Sequence, residues 1–313
     1  MSYLKDKIVL LTGGKGFLGS HVLEQLKQYS PAEIIVPSSS EYDLRVRSEV
    51  DSLFQEQKPE TVIHIAGKTG GIEENRKRPG DFFYTNAAMA LNLIDASQKH
   101  KVGRFIGLGT VCSYPKLTAV PFREETVWAG YPEETNAPYG LSKKMMMVMT
   151  QAYRQQYGFN GIHLLAVNLY GPKDNFDPEK SHVIPGMITK FAKAKETDAK
   201  EVIFWGDGTP TREFLYVEDC ARGILLAAEK YEGSDPVNLG SGMEISIKDL
   251  ANKIGELIGY KGEIICDKTK PNWQPRRCLD VSRAKKEFGF VAEVDFDTGL
   301  KKTVDWYLKE NAK

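Results

Sequence analysis

Two residues of the segment YGLSK have types and spacing suited to proton transfer. Tyr139 and Lys143 lie four positions apart, so a helix would place them on one face. A lysine ammonium lowers the pKa of a nearby phenol, which can then exchange a proton with a carbonyl oxygen near neutral pH. Thr110, at the end of the apolar run RFIGLGT, would hydrogen-bond the same oxygen. The pattern predicts hydride-transfer chemistry, although alone it also fits an ordinary surface helix.

A glycine loop near the start of the chain predicts a dinucleotide site. Gly13, Gly16 and Gly19 follow the apolar run KIVLLTG and open a helical segment. In that context the first glycine permits a tight turn, the second lets backbone N–H groups approach a pyrophosphate, and the third allows close helix packing. The other residues of the predicted cofactor loop are Lys15, Phe17 and Leu18. The alternative is an ordinary glycine turn.

The end of the second predicted strand favours NADP over NAD. Sites specific for NAD usually carry a carboxylate there, which would repel a 2′-phosphate. This chain has Ser38 and Ser39 instead, and Lys15 is expected near the same ribose. Hydroxyl groups and a lysine suit a phosphate, although Lys15 also fits a solvated loop lysine. Asp43 is expected to hold the adenine amino group.

Composition excludes several other functions. The 313 residues carry 42 basic and 42 acidic side chains, so no overall charge favours nucleic acid or a membrane as a partner. No apolar stretch is long enough to span a bilayer, and the first residues lack a signal-peptide pattern. Four cysteines without CxxC spacing predict a reduced, cytoplasmic protein, and five scattered histidines predict no metal site.

Short apolar runs alternate with helical segments over the first half of the chain, which predicts βαβ units. We expect an α/β fold with a Rossmann-like, doubly wound parallel sheet and a smaller C-terminal substrate-binding α/β domain. The predicted cofactor domain covers residues 1–170, with return segments near 213–240. The predicted substrate domain covers 171–212 and 241–313. Residues 171–186 are rich in Pro, Asp and Asn and predict a long functional loop.

Longer motifs give the chain a family resemblance over essentially its whole length. They are GKTGGIEENRKRPGDFFYTN, GTVCSYPK, EETNAPYGLSKK, NLYGPKDNFDPEKSHVIP and WGDGTPTREFLYVEDCA. With them the chain resembles the extended short-chain dehydrogenases of nucleotide-sugar metabolism, and among these the enzymes that epimerise and reduce a GDP-4-keto-6-deoxy sugar. The resemblance implies inversion at C3 and C5 of GDP-4-keto-6-deoxymannose, reduction at C4 with NADPH, and a homodimer.

The resemblance also implies roles for Cys112 and His182, as the acid and base that move protons at C3 and C5. By residue type alone, Cys112 fits a small buried hydrophobic residue, and His182 fits a solvated or capping residue. A thiol and an imidazole both exchange protons near pH 7. The chain departs from the usual family segment at Thr110 and Val111, where serines are more common. Threonine keeps the hydroxyl group and Val111 loses one.

The remaining predicted site residues come from the same resemblance. Tyr139, Lys143, Asn168 and His182 are expected at the cofactor, and Asn86 is expected to support Lys143 through water. Gly70 and Gly71 are expected to let backbone approach a ligand, or to form a structural turn. The residues expected to bind the GDP-sugar are Asn168, Lys190, Trp205, Arg212 and Arg276.

Two other functions remain open at this stage. The first keeps the fold and changes the chemistry to a 4-reductase or epimerase of another GDP-deoxysugar or a GDP-heptose. The second is a dinucleotide-binding regulator without catalytic activity. The intact set Thr110, Tyr139 and Lys143 speaks against a regulator, because a non-catalytic descendant is free to lose its proton donor.

Overall fold

A six-stranded parallel sheet forms the N-terminal half of the fold. A computed structural model describes residues 2–270, 272 and 274–311. The sheet has the order β2-β1-β3-β4-β5-β9 and every pairing in it is parallel. Its strands are β1 (Ile8–Thr12), β2 (Glu33–Ile35), β3 (Thr61–His64), β4 (Arg104–Thr110), β5 (Gly161–Ala166) and β9 (Val237–Leu239). The strand order reverses direction between β1 and β3, where ligands bind in doubly wound folds.

Helices cover both faces of this sheet. The strands β1, β3, β4 and β5 are apolar and almost fully buried, as expected for a parallel sheet with helices on each side, whereas the edge strand β2 is more exposed. The helices of this half are α1 (Phe17–Leu26), α2 (Arg47–Gln57), α3 (Ile72–Lys77), α4 (Pro79–Lys99), α5 (Ala137–Tyr157) and α7 (Val217–Lys230). Helix α4 packs along α5 on one face, and α1 packs along α7 on the other.

The second part of the molecule contains two small sheets. Strand β8 (Thr211–Tyr216) pairs with β6 (Asn168–Tyr170), β10 (Glu244–Ser246) and β12 (Arg276–Arg277). Strands β7 (Glu201–Trp205) and β11 (Glu263–Asp267) form the other sheet. The remaining helices are α6 (Val183–Glu196), α8 (Ile247–Ile258), α9 (Ser282–Phe288) and α10 (Phe296–Glu310).

Separate apolar clusters stabilise the two parts. Two clusters lie on the faces of the large sheet, and a third joins α6, α8 and α10 with β8. Along β8 the buried residues divide between clusters: Leu215 joins the large sheet's cluster, whereas Phe214 and Tyr216 join the third. The two parts therefore meet at β8, which sits beside the cavity described below.

The predicted α/β fold class is confirmed, and several boundaries differ from expectation. The continuous apolar run IHLLAVNLYGP predicts one strand ending in a turn, but it divides into β5 and β6, which belong to different sheets. The run YTNAAMALNLIDASQKH predicts a helix from Tyr84, but α4 begins at Pro79 and is preceded by the short helix α3, which the sequence pattern does not predict. The division into cofactor and substrate domains stays a prediction. Among the described residues no helix is both long and apolar enough to cross a membrane.

Candidate active site

A cavity of about 1300 Å³ lies at the carboxyl ends of β1, β3 and β4. It extends from the glycine loop, past the end of β4, to β7 and β8 in the second part of the molecule. The predicted site residues that line it come from ten separate segments of chain. They are Gly13, Lys15, Gly16, Phe17, Leu18, Gly19, Ser38, Ser39, Asp43, Gly70, Gly71, Thr110, Cys112, Tyr139, Lys143, Asn168, His182, Lys190, Trp205 and Arg212.

The glycine loop has the geometry that a dinucleotide requires. Gly13 has a φ of +77°, a conformation that favours glycine, and a Cβ atom there would lie 2.7 Å from the backbone nitrogen of Ala66. A Cβ atom on Gly19 would lie 1.9 Å from the carbonyl oxygen of Gly13. Gly16 stands at the N-terminus of α1, so free N–H groups of the helix face the cavity. The loop therefore fits a pyrophosphate.

Glu41 is a carboxylate beside the serines that follow β2, and its role was not predicted from the sequence. The Ser38 hydroxyl and backbone N–H both donate to Glu41 Oε2, at 2.6 and 2.9 Å. These hydrogen bonds, with a smaller contribution from Lys15, lower the pKa of Glu41. Asp43 is held in a similar way, because Arg45 lowers the pKa of its carboxyl group. Ser38 thus offers its donors to a protein carboxylate in the free protein.

Thr110, Cys112 and Tyr139 converge at the end of β4. Cys112 follows Thr110 in a short 3₁₀ turn, and the Cys112 backbone N–H donates to Thr110 Oγ1 at 3.2 Å. Tyr139 lies in the first turn of α5, and Gly140 allows this turn to approach closely, because a Cβ atom there would lie 2.2 Å from the Cys112 carbonyl oxygen. Burial and then the neighbouring Cys112 raise the pKa of Tyr139, while the Thr110 hydroxyl acts in the opposite direction.

Burial, and not Lys143, is the largest influence on the pKa of Tyr139 in this structure. The expected lowering of that pKa by Lys143 stays a prediction. Lys143 is itself buried one helical turn further along α5, and burial lowers its pKa to about 8. Loss of solvation therefore dominates at both side chains. Asn86 fixes the segment after β3: it accepts from the Lys68 N–H and donates to the Lys68 carbonyl, each at 3.0 Å. Its expected support of Lys143 through water stays a prediction.

His182 lies on the loop between β6 and α6 and also lines the cavity. It occupies the residue before α6, and desolvation lowers the pKa of its imidazole, which favours the neutral form near pH 7. Gly71 brings the segment after β3 against this loop, since its N–H donates to the Lys180 carbonyl at 3.3 Å. A Cβ atom on Gly71 would lie 2.9 Å from the Ser181 carbonyl oxygen. Gly71 thus has the structural role that the sequence left open.

Basic and aromatic side chains line the far end of the cavity. Burial, and then the neighbouring Arg277, lower the pKa of Arg212 on β8 to about 10. The Lys190 ammonium on α6 lies 4.9 Å from the centre of the Phe204 ring. Trp205 ends β7 and is 59% exposed, and the Lys270 ammonium lies 5.8 Å from the centre of its ring. Asn168 on β6 donates to the Glu213 carbonyl oxygen at 2.9 Å.

Arg276 is a predicted substrate-binding residue that does not line the cavity. Its exposed side chain forms an ion pair with Glu244. The next residue, Arg277, lines the cavity, because successive residues of a strand point to opposite sides. Sequence reasoning chose one arginine of the pair in QPRR, and only the direction of β12 distinguishes them. Gln274 and Glu133 also line the cavity and were missed.

Possible metal ligands do not cluster in the described part of the chain. No group of three or more His, Cys, Asp or Glu side chains able to hold a metal ion occurs within residues 2–270, 272 and 274–311.

The fold is a parallel doubly wound sheet with a glycine loop at its switch point. The same cavity contains Thr110, Tyr139 and Lys143. Together these features define a nucleotide-dependent epimerase or dehydrogenase. Residues 9–240 match the NAD dependent epimerase/dehydratase family, and the chain belongs to this family.

Within that family the chain is similar to proteins that act on GDP-sugars. A protein named "Probable GDP-L-fucose synthase 1" from Oryza sativa subsp. japonica is 39% identical, over 98% of this chain and 94% of its own length. "GDP-L-colitose synthase" from Yersinia pseudotuberculosis is 34% identical, over 96% and 98%. A solved structure of a GDP-L-fucose synthetase from Naegleria fowleri bound to NADP has a TM-score of 0.90 and 25% identity, and the match covers 100% and 97% of the two chains.

Proposed function

We propose that the chain converts GDP-4-keto-6-deoxy-D-mannose to GDP-L-fucose, by 3,5-epimerisation followed by NADPH-dependent reduction of the 4-keto group. The observation that carries this proposal is the position of Cys112 beside Thr110 and Tyr139. One cavity thus brings a thiol for epimerisation together with the hydroxyl groups for reduction, and His182 lines the same cavity. The names of the relatives support the same reaction.

The reduction half of the reaction would use Thr110, Tyr139 and Lys143. Bound NADPH supplies the hydride. Thr110 and Tyr139 bind the 4-keto oxygen, and Tyr139 donates its phenolic proton to the alkoxide as it forms. The raised pKa of Tyr139 keeps the phenol protonated, as a general acid must be. Lys143 holds the nicotinamide ribose and supplies a positive charge near the phenol.

The epimerisation half would use Cys112 and His182. A base removes the proton from the carbon next to the ketone, the electron pair moves to the 4-keto oxygen, and an acid returns a proton to the opposite face. The same Thr110 and Tyr139 hydroxyl groups stabilise the resulting enolate. Cys112 approaches from the end of β4 and His182 from the start of α6. One oxygen-binding pair therefore serves both half-reactions.

The glycine loop and the far end of the cavity would bind the two nucleotides. The cofactor pyrophosphate lies at Gly13–Gly19 and the N-terminus of α1. Lys15, Ser38 and Ser39 receive the 2′-phosphate once Ser38 releases Glu41, and Asp43 lies at the adenine. Arg212 and Lys190 bind the GDP phosphates, with Trp205 and Asn168 beside the nucleotide-sugar. Arg276 lies outside the cavity lining and is not part of this proposed set.

The decisive experiment supplies GDP-4-keto-6-deoxymannose and NADPH in D₂O, with products followed by NMR. Deuterium at C3 and C5 together with NADPH oxidation is the expected result. Reduction without deuterium incorporation would instead indicate a 4-reductase. Turnover of a GDP-colitose precursor or a GDP-heptose in place of this substrate would point to another GDP-sugar. Ligand binding without turnover would indicate a regulator.

We also propose a homodimer in the cytoplasm. Apolar side chains are exposed along α4 and α5, among them Phe83, Tyr84, Leu91 and Val148. The four cysteines, all within the described residues, are free thiols, in keeping with a reducing compartment. Sedimentation of the purified protein should give a dimer, and the double substitution Leu91→Glu with Val148→Glu should give a monomer. Cell fractionation tests the compartment.

A further inference from the structure

One cavity arginine has no role in the function proposed above. Arg277 belongs to the two-residue strand β12 and lies beside Arg212 of β8 in the strand register. It lines the cavity together with Cys112, which is 165 residues away in the sequence. The guanidinium Nη1 donates to Cys112 Sγ at 3.7 Å, within the reach of a hydrogen bond to sulfur.

A glutamine fixes the direction of the Arg277 guanidinium. Gln274 Oε1 accepts from Arg277 Nε at 3.2 Å and from Nη2 at 3.0 Å, which leaves Nη1 directed at the sulfur. Gln274 is itself held, because its Nε2 donates to the Lys116 carbonyl oxygen at 3.0 Å. Lys116 follows the turn that contains Cys112, so the contact between β12 and the end of β4 is fixed from both sides.

The charge of Arg277 is not neutralised by a carboxylate in the described part of the chain. Every arginine–carboxylate ion pair found there involves another arginine, and the neighbouring Arg276 is paired with Glu244. The other ionisable groups near this point are the Tyr139 phenol from α5, the Arg212 guanidinium from β8 with Glu244 acting on it, and Glu133 in the cavity lining. An arginine without an acidic partner that faces a thiol favours the thiolate, which is the form that acts as a base.

We propose that Arg277 is a positioning residue for epimerisation: it stabilises the Cys112 thiolate and orients the sulfur toward the sugar. This inference rests on the proposed role of Cys112. In the base step the thiolate takes a proton from the carbon next to the ketone, an S–H bond forms as the C–H bond breaks, and the electron pair moves to the 4-keto oxygen.

The first test measures Cys112 itself, without substrate. The rate of alkylation by iodoacetamide is followed over a range of pH, and modification of Cys112 is distinguished from that of Cys266 by peptide mass spectrometry. Arg277→Met should slow alkylation at pH 7.5 by about five- to tenfold, because the sulfur nucleophile loses the guanidinium that contacts it. Arg277→Lys should retain most of the rate.

Arg276→Met is the matched control, since it removes the neighbouring arginine that lies outside the cavity lining. It should leave the alkylation rate within about twofold. Gln274→Leu keeps the charge of Arg277 but removes the acceptor that orients its guanidinium. The alkylation rate of this variant should lie between those of the wild type and Arg277→Met. This measurement remains a test even if Arg277→Met does not fold. Equal alkylation rates in the wild type, Arg277→Met and Gln274→Leu would overturn the proposal.

The second test measures deuterium incorporation from D₂O into GDP-4-keto-6-deoxymannose. Arg277→Met should lower kcat for exchange with little change in KM. A raised KM with unchanged alkylation would contradict the proposal, and would assign Arg277 to the GDP phosphates instead. If the wild type catalyses no exchange although its alkylation depends on Arg277, the proposed function fails and the epimerisation role fails with it, while the thiolate contact stands.

Discussion

The cofactor region and the substrate region of the cavity are built in different ways. The glycine loop lies within seven consecutive residues, Gly13–Gly19, and Tyr139 and Lys143 lie on one helix. The substrate region draws single residues from β6, α6, β7, β8 and β12, and its central contact joins Cys112 to Arg277 across 165 positions. Local geometry therefore specifies the first region, whereas only the packing of distant segments produces the second.

The largest expected effect separates the two half-reactions. Cys112→Ala should slow deuterium incorporation at C3 and C5 by about 10²- to 10⁴-fold, the usual contribution of a general base, while NADPH binding is unchanged. NMR in D₂O and fluorescence titration of NADPH measure these quantities. Tyr139→Phe is the companion variant and should slow both exchange and reduction, because one oxygen-binding pair serves both. Normal exchange in Cys112→Ala would remove Cys112 from the mechanism.

A glycine substitution should break the cofactor region alone. In Gly19→Ala the new Cβ atom would lie 1.9 Å from the Gly13 carbonyl oxygen, so the loop must shift. At the usual 1–3 kcal/mol cost of overpacking, we expect NADPH binding to weaken by about 10- to 100-fold, measured by fluorescence titration. Gly80→Ala is the matched control, because no atom lies within 4 Å of its new Cβ position. Equal affinity in both variants would contradict the close packing.

A buried carboxyl group in the loop of residues 171–186 makes the stability of the protein depend on pH. Burial raises the pKa of Asp174 to about 7, and in the described part of the chain its Oδ2 has no hydrogen-bond partner. The folded protein therefore holds this proton more tightly than the unfolded chain does. The resulting stabilisation is present below about pH 4 and is lost as the pH rises to about 7.

Asp174→Asn removes the ionisation, so the variant should be more stable than the wild type at pH 8, by about 2 kcal/mol, with a smaller difference at pH 5. Denaturant unfolding at the two pH values measures the difference. Asp177→Asn in the same loop is the control with the opposite sign: backbone N–H donors lower the pKa of Asp177, so this substitution should destabilise. A pH-independent difference for Asp174→Asn would contradict the assignment.

The smallest expected effect concerns the choice of cofactor. Lys15→Glu should weaken NADPH binding by about fivefold to tenfold more than NADH binding, because only NADPH carries the 2′-phosphate. Glu41→Gln should act in the other direction, since it removes the carboxylate that holds the Ser38 donors. Titration of both cofactors against each variant measures the ratio. An equal loss of both cofactors in Lys15→Glu would place Lys15 away from the phosphate.

Much of the fold was predictable from local patterns, and the failures have physical causes. Runs of apolar residues that alternate with helical segments predict alternating strands and helices, so the parallel sheet was expected. The division of 161–170 between β5 and β6 was not, because a continuous apolar run does not record which sheet each half joins. Likewise, residues 276 and 277 are both arginines, so residue type does not distinguish them. Only the pairing of β12 with β8 decides which side chain lines the cavity.

The sequence by itself determined the glycine loop, the Tyr139–Lys143 pair and the thiol at Cys112, because these depend on residue type and short spacing. The tertiary structure decided the partners of those groups: Arg277 beside Cys112, Glu41 at Ser38, and His182 across the cavity. It also decided the protonation tendencies, since burial sets the pKa of Lys143 and Tyr139. Solvation and long-range contacts depend on the packed chain, and no local pattern contains them.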